Sequence, residues 1–199
     1  MIFLLFLFAF IFGLSAEVWT HHFGWIIGLQ YTFGLPGPML FHVPLIICLM
    51  WMIGLPGFFV ITNTLFPKLQ KKKNFSILFT LSILDAYIAF LLYLLSDPIA
   101  VRIGLWTYEP RGPYFGIPFI EFMGVFFAIA SFGLCARILF KKLNATRLHM
   151  WSLVASFAYT VTFIFSIFVA LILKMYVVLF VDILVLGVSL YFYIRFTRK

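Results

Sequence analysis

Apolar residues run along this chain in long, nearly unbroken stretches. Six of them, about 1–19, 39–64, 75–96, 117–140, 151–173 and 175–194, reach the roughly 20 predominantly apolar residues that a helix needs to span a bilayer. The second carries Pro44, Pro56 and Gly57, which predicts a kink or an irregular end. The last two meet at Lys174, with room only for a tight turn. The pattern predicts an all-α fold, a polytopic membrane helical bundle of about six transmembrane helices forming a single integral membrane domain over 1–199. No repeat at solenoid spacing and no low-complexity tract interrupts it.

Two connections stand apart. Residues 20–38 (THHFGWIIGLQYTFGLPGP) and 97–116 (DPIAVRIGLWTYEPRGPYFG) are long and aromatic, with Gly and Pro punctuation. They are too apolar for loops in water, so they are expected to lie in the membrane interface or to re-enter the bundle.

Composition agrees with lipid as the solvent. Hydrophobic residues make up 65% of the chain and charged residues 10%, against about 25% charged in a soluble domain. The apolar start lacks the basic residues that open a signal peptide, so a span is expected there. Cys48 and Cys135 lie inside apolar runs and read as small buried hydrophobes, without a disulfide framework or a CxxC metal site.

The net charge of +8 comes from basic residues between apolar segments, which is a topology signal and excludes a nucleic-acid groove binder. Lys68, Lys71, Lys72, Lys73, Arg137, Lys141, Lys142, Arg147, Arg195, Arg198 and Lys199 fall on one side. Arg102, Arg111 and Lys174 fall on the other. The positive-inside rule then places a multi-pass protein in the cell membrane with both termini cytoplasmic. The glycosylation patterns at Asn74 and Asn144 fall on the cytoplasmic side and read as chance matches.

Six carboxylates remain to be placed. Glu17 ends the first segment, Asp97 the third, Glu109 lies in the second long connection, and Glu121 opens the fourth segment. All four are expected near the outer face. Asp85 and Asp182 lie deeper, with no Lys or Arg expected at their depth, so each should be protonated or hydrogen-bonded to hydroxyls such as Ser82, Thr80 or Ser189. Glu109 is expected to pair with Arg111.

For Glu121, the helix dipole and burial favour opposite protonation states, and the sequence leaves both open. His21 and His22 are adjacent, His42 is separate and His149 is on the other side, so no metal site is expected; nor is there a phosphate loop or a GxSxG elbow. Trp19, Trp25, Trp106, Tyr108 and Tyr114 read first as an interfacial aromatic belt. They read second as walls for a long apolar ligand or for a cationic intermediate.

Glu17, the stretch GLQYTFGLPGPMLFHVPLIICLMW (28–51) and the stretch SDPIAVRIGLWTYEPRGPYFGIPFIEFMG (96–124) together resemble the bisanhydrobacterioruberin hydratase family of membrane carotenoid-biosynthesis proteins. The most specific parts are Asp97-Pro98, Trp106-Thr107-Tyr108 and Tyr114-Phe115-Gly116-Ile117-Pro118. The resemblance covers about 17–125. Tyr93 stands where that family often has a second Asp, Glu121 where Asn is usual, Val125 where Trp is usual, and Gln30-Tyr31 replaces part of a G-x-Y-x-Y element.

The resemblance implies addition of water to a terminal C=C bond of an acyclic carotenoid or related polyisoprenoid, without a cofactor or metal. A carboxylic acid would protonate the double bond, and water would capture the tertiary cation. The implied catalytic residues are Asp97, Glu121 and Glu17, with Tyr31, Trp106, Tyr108 and Tyr114 as substrate-binding walls. The implied partners are the long apolar substrate and membrane lipid. Cyclisation, as in the small membrane lycopene cyclases, is the nearest alternative. A non-catalytic carotenoid- or lipid-binding subunit is another, whereas a transporter lacks the expected inverted repeat.

Overall fold

The computed structural model describes residues 2–70, 74–140, 145–181, 183–184 and 186–187. Helix α1 (Ile2–Phe23) leads through a short 3-10 turn to strand β1 (Gln30–Phe33) and the short strands β2 (Met39–Leu40) and β3 (Val43–Pro44). Then come α2 (Leu45–Leu65), the single turn α3 (Pro67–Gln70), α4 (Phe75–Arg102), β4 (Trp106–Glu109), α5 (Phe119–Leu139) and α6 (Ala145–Ile172). Four helical stretches are long and apolar enough to cross a membrane: Ile2–Ile27, Leu45–Leu65, Phe75–Arg102 and Phe119–Leu139. The chain is therefore an all-α membrane helical bundle, as expected, with four such spans among the described residues. Within α6 the apolar stretch is the shorter Phe157–Ile172. The expected sixth segment, 175–194, lies partly outside the described residues, as does Asp182.

Small residues let these helices meet. On α1 the buried positions are Leu5, Ala9 and Gly13, one every four residues, so a single narrow stripe packs onto α2. A side chain at Gly13 would collide with Trp51 of α2. Between α4 and α5, Ala86, Ala89, Ala130 and Ala136 are buried, and these two helices share the most extensive contact in the bundle. Cys48 is buried as expected, whereas Cys135 is exposed, because it falls on the outward side of α5.

Two boundaries differ from the sequence reading. Segment two begins at Leu45 because 39–44 forms the β2–β3 ribbon. Segment three does not stop before Asp97-Pro98; α4 runs through both to Arg102. Pro98 has no N–H to give the carbonyl of Leu94 four residues back, and the Tyr114 hydroxyl donates to that carbonyl instead, at 3.0 Å. The two long connections come together: β1 and β4 pair antiparallel, with Tyr31 opposite Tyr108 and Phe33 opposite Trp106. Thr32 and Thr107 join across the outer face of this ribbon, their hydroxyls 2.9 Å apart.

At the far end of the bundle, Asp85 finds a partner the sequence reading did not give it. Arg137 lies in the last turn of α5 rather than in a loop, and it forms a bidentate salt bridge with Asp85, both side chains nearly inaccessible. The guanidinium also donates to the Gly133 carbonyl (3.1 Å) and to Asn63 of α2 (3.3 Å), and it stacks 4.6 Å from the Phe59 ring centre. A side chain at Gly133 would run into the Asp85 carboxylate. Asn74 has a structural role as well: it caps α4 by accepting from the Ile77 N–H at 3.0 Å.

Candidate active site

Under the β1–β4 ribbon, α1, α2, α4, α5 and α6 line a cavity of about 830 Å³. Glu17, Asp97 and Glu121 all line it, as do Tyr31, Tyr93, Trp106 and Tyr108. Each acid arrives from a different helix: Glu17 from the last two turns of α1, Asp97 from the Pro98 region of α4, Glu121 from the first turn of α5.

Glu17 is held from two sides. Tyr31 donates its hydroxyl to Oε2, and the Trp51 indole donates to Oε1 at 2.6 Å. Trp51 can reach because Gly13, one turn before Glu17, leaves room for it. Tyr108 and Glu121 line the same cavity, Tyr108 from the ribbon and Glu121 from α5. Asp97 is 3% exposed and has no hydrogen-bond partner among the described residues. The indole N–H of Trp106 is likewise buried with no partner.

The ribbon explains why the two tyrosines face inward. With side chains alternating along a strand, Tyr31 and Phe33 on β1 and Trp106 and Tyr108 on β4 share the face turned to the cavity. The rings of Tyr31 and Tyr108 lie 5.7 Å apart, edge to face. Burial pushes both phenols far above the usual tyrosine range; next in weight come the carboxyls of Glu17 and Glu121 at Tyr31, and of Glu121 and Asp97 at Tyr108. Both hydroxyls therefore stay protonated, and that of Tyr31 donates to Glu17.

Six of the seven site residues named from the sequence line this one cavity; Tyr114 does not. Its hydroxyl is spent on the Leu94 carbonyl and its ring packs on Phe122 at 5.6 Å, so it supports the helix that carries Asp97. Two cavity residues were missed. Trp51 lay inside the stretch 28–51 without being singled out, and Tyr93 stood out only as a departure from the family pattern. Tyr93 is four residues before Asp97, one turn away on the same helix face, and that spacing was the available signal.

Glu109 takes no part. It is exposed on β4, opposite Gln30, and forms no ion pair with Arg111 among the described residues. His42 is not separate: the tight turn at Phe41 and His42 brings its ring to within 5.7 and 5.9 Å of His21 and His22. Even so, no group of three His, Cys, Asp or Glu among the described residues is arranged to hold a metal ion.

A model of the family described as carotenoid biosynthesis protein matches residues 1–189. No curated protein and no solved structure matches the chain.

Proposed function

The chain belongs to the carotenoid biosynthesis protein family, and from that premise we propose that it adds water to a terminal C=C bond of an acyclic carotenoid or related polyisoprenoid, by acid-catalysed carbocation chemistry. One observation carries the reading: three carboxyls from three helices converge, with four aromatic side chains, on an otherwise apolar cavity.

Asp97 serves as the proton donor. It is buried with no competing hydrogen bond among the described residues, and its proton goes to the less substituted carbon of the terminal double bond, which leaves the more stable tertiary cation. The tertiary cation formed faces the aromatic rings of the ribbon, whose π-faces attract positive charge. It also faces Glu17, whose two oxygens already accept from Tyr31 and Trp51 and are thereby fixed in direction. Glu121, which lines the cavity with Tyr108, holds the water; oxygen bonds to the cation, and Glu121 takes the proton the water loses. A proton relayed from Glu121 to Asp97, directly or through solvent, restores the site. The net change is one water added, and no cofactor enters.

The positive-inside distribution supports a cell-membrane orientation with both termini cytoplasmic and the acid cluster at the outer face. Water would then reach the cluster through the ribbon side while the substrate chain stays in lipid.

The test is expression with an acyclic carotenoid and mass analysis of the products. A gain of the mass of one water is the expected outcome. An isomer of unchanged mass shows cyclisation, the same protonation with the cation captured by a neighbouring double bond. Bound but unaltered carotenoid shows a non-catalytic binding subunit.

A further inference from the structure

The acids occupy only one end of the cavity. On α1 it is lined by Glu17 toward one end of the helix and by Ile2, Leu5 and Phe6 at the other. Ile2 and Glu17 are fifteen positions apart, about 22 Å at about 1.5 Å per residue, most of a hydrocarbon layer about 30 Å thick. Facing α1 are α2 and α6, with Gly54 and Gly57 on the first and Ala155 on the second.

A methyl group at Gly57 would meet only the Ala155 side chain, at 3.8 Å, and one at Gly54 only the Phe58 ring, at 3.6 Å. Both are ordinary contacts, so helix packing does not demand glycine here. Their missing side chains leave the cavity its width. The rim on this side is open, with Ile53 of α2 59% exposed and Phe165 of α6 64% exposed although both line the cavity. Both would face acyl chains in a bilayer. Finally, among the described residues the lining contains no Lys, Arg or His. A diphosphate would meet three acids and no cation there.

We infer that this cavity is a sleeve for the unreacted length of a linear polyisoprenoid hydrocarbon, entered sideways from the lipid between α2 and α6. Leu5 and Phe6 form its floor, and Gly57 and Ala155 set its bore. The inference rests on the proposed reaction for the identity of the chain, and adds how that chain is held and which chains fit. Only one terminus meets the acids at a time, so modification of a second end requires release and re-entry. Prenyl diphosphates are excluded by charge and the hydrocarbon is selected by length.

The experiment uses the full chain in lipid nanodiscs with three probes: an acyclic carotenoid, a linear isoprenoid hydrocarbon of half its length, and a prenyl diphosphate matched to the shorter one. Retention after purification is read by absorbance and mass, separately from conversion. In Gly57→Leu and Ala155→Phe the ratio of long to short hydrocarbon retained should fall by about tenfold or more; in Phe6→Ala it should rise. The diphosphate should not compete.

Ratios that stay within about twofold of the parent in variants eluting as monodisperse protein overturn the sleeve. Failure of the parent to retain either hydrocarbon, or competition by the diphosphate, overturns it too. If Gly57→Leu and Ala155→Phe do not fold, the Phe6→Ala ratio decides alone. A parent that retains hydrocarbons with the expected length dependence but converts neither leaves the sleeve standing and removes the proposed reaction instead.

Discussion

Glu17, Asp97 and Glu121 carry the same functional group in three different settings, and the settings separate what each replacement should do. Among the described residues Asp97 has no donor on it, so Asp97→Asn changes little but the proton. It should lower turnover by about 100-fold or more, the usual range for a lost general acid, while carotenoid retention stays. Unchanged turnover in that variant would remove Asp97 from the proton donor's role. Glu17 is defined by its donors. Tyr31→Phe keeps the ring against Tyr108 but takes away one hydrogen bond, and should slow turnover by about tenfold, equivalent to about 1.4 kcal/mol of transition-state stabilisation. An effect on retention alone would reduce Tyr31 to a wall. The sequence showed these acids as four near one face. It did not show that Glu109 points away, since facing is decided by the alternation of a strand whose partner lies 75 residues distant.

Among the elements, α4 and α5 hold the two features that shape the bundle. Near one end, Pro98 leaves the Leu94 carbonyl without its helical donor, and Tyr114 replaces it. Tyr114→Phe should therefore destabilise the protein by about 1–3 kcal/mol, the cost of an unsatisfied buried carbonyl, and reduce turnover by displacing Asp97. The check is thermal unfolding together with turnover; a drop in turnover without loss of stability would return Tyr114 to the cavity wall.

Near the other end, Arg137 and Asp85 neutralise each other inside the bundle. Arg137→Leu leaves Asp85 uncompensated and should cost about 3–5 kcal/mol, whereas Asp85→Leu combined with Arg137→Leu should recover much of that loss. Unfolding midpoints of the single and double variants measure it; a double variant no better than the single one would show that the pair is not the cause. Neither feature was legible in the chain. Arg137 sits beside Lys141 and Lys142 and was counted with them as a boundary charge. Its partner is 52 residues away, and hydropathy carries no information about which helices meet.

Taken whole, the molecule has its ion pair at one end of the helices and its carboxyl cluster at the other, with one apolar cavity reaching from the cluster toward the opposite end. If the basic residues set the orientation, a cysteine placed beside Thr107 on the ribbon should react with a membrane-impermeant thiol reagent from outside intact cells, in a Cys135→Ala background. One placed beside Lys68 should react only after permeabilisation. The reverse pattern would invert the topology.

What the sequence alone determined is the solvent, the helical class and the short list of groups able to do chemistry. Long apolar runs have no alternative but to satisfy their backbone internally as helices in lipid, and a chain with six carboxylates leaves few candidates for an acid. What only the tertiary structure decided is which of those groups share a space. The β1–β4 pairing, the Tyr114 bond across the Pro98 gap and the approach of Trp51 over Gly13 all join residues far apart in the chain. Their free energy comes from filling contacts that exist only once the helices have packed, and no local pattern of hydrophobic and polar residues encodes that.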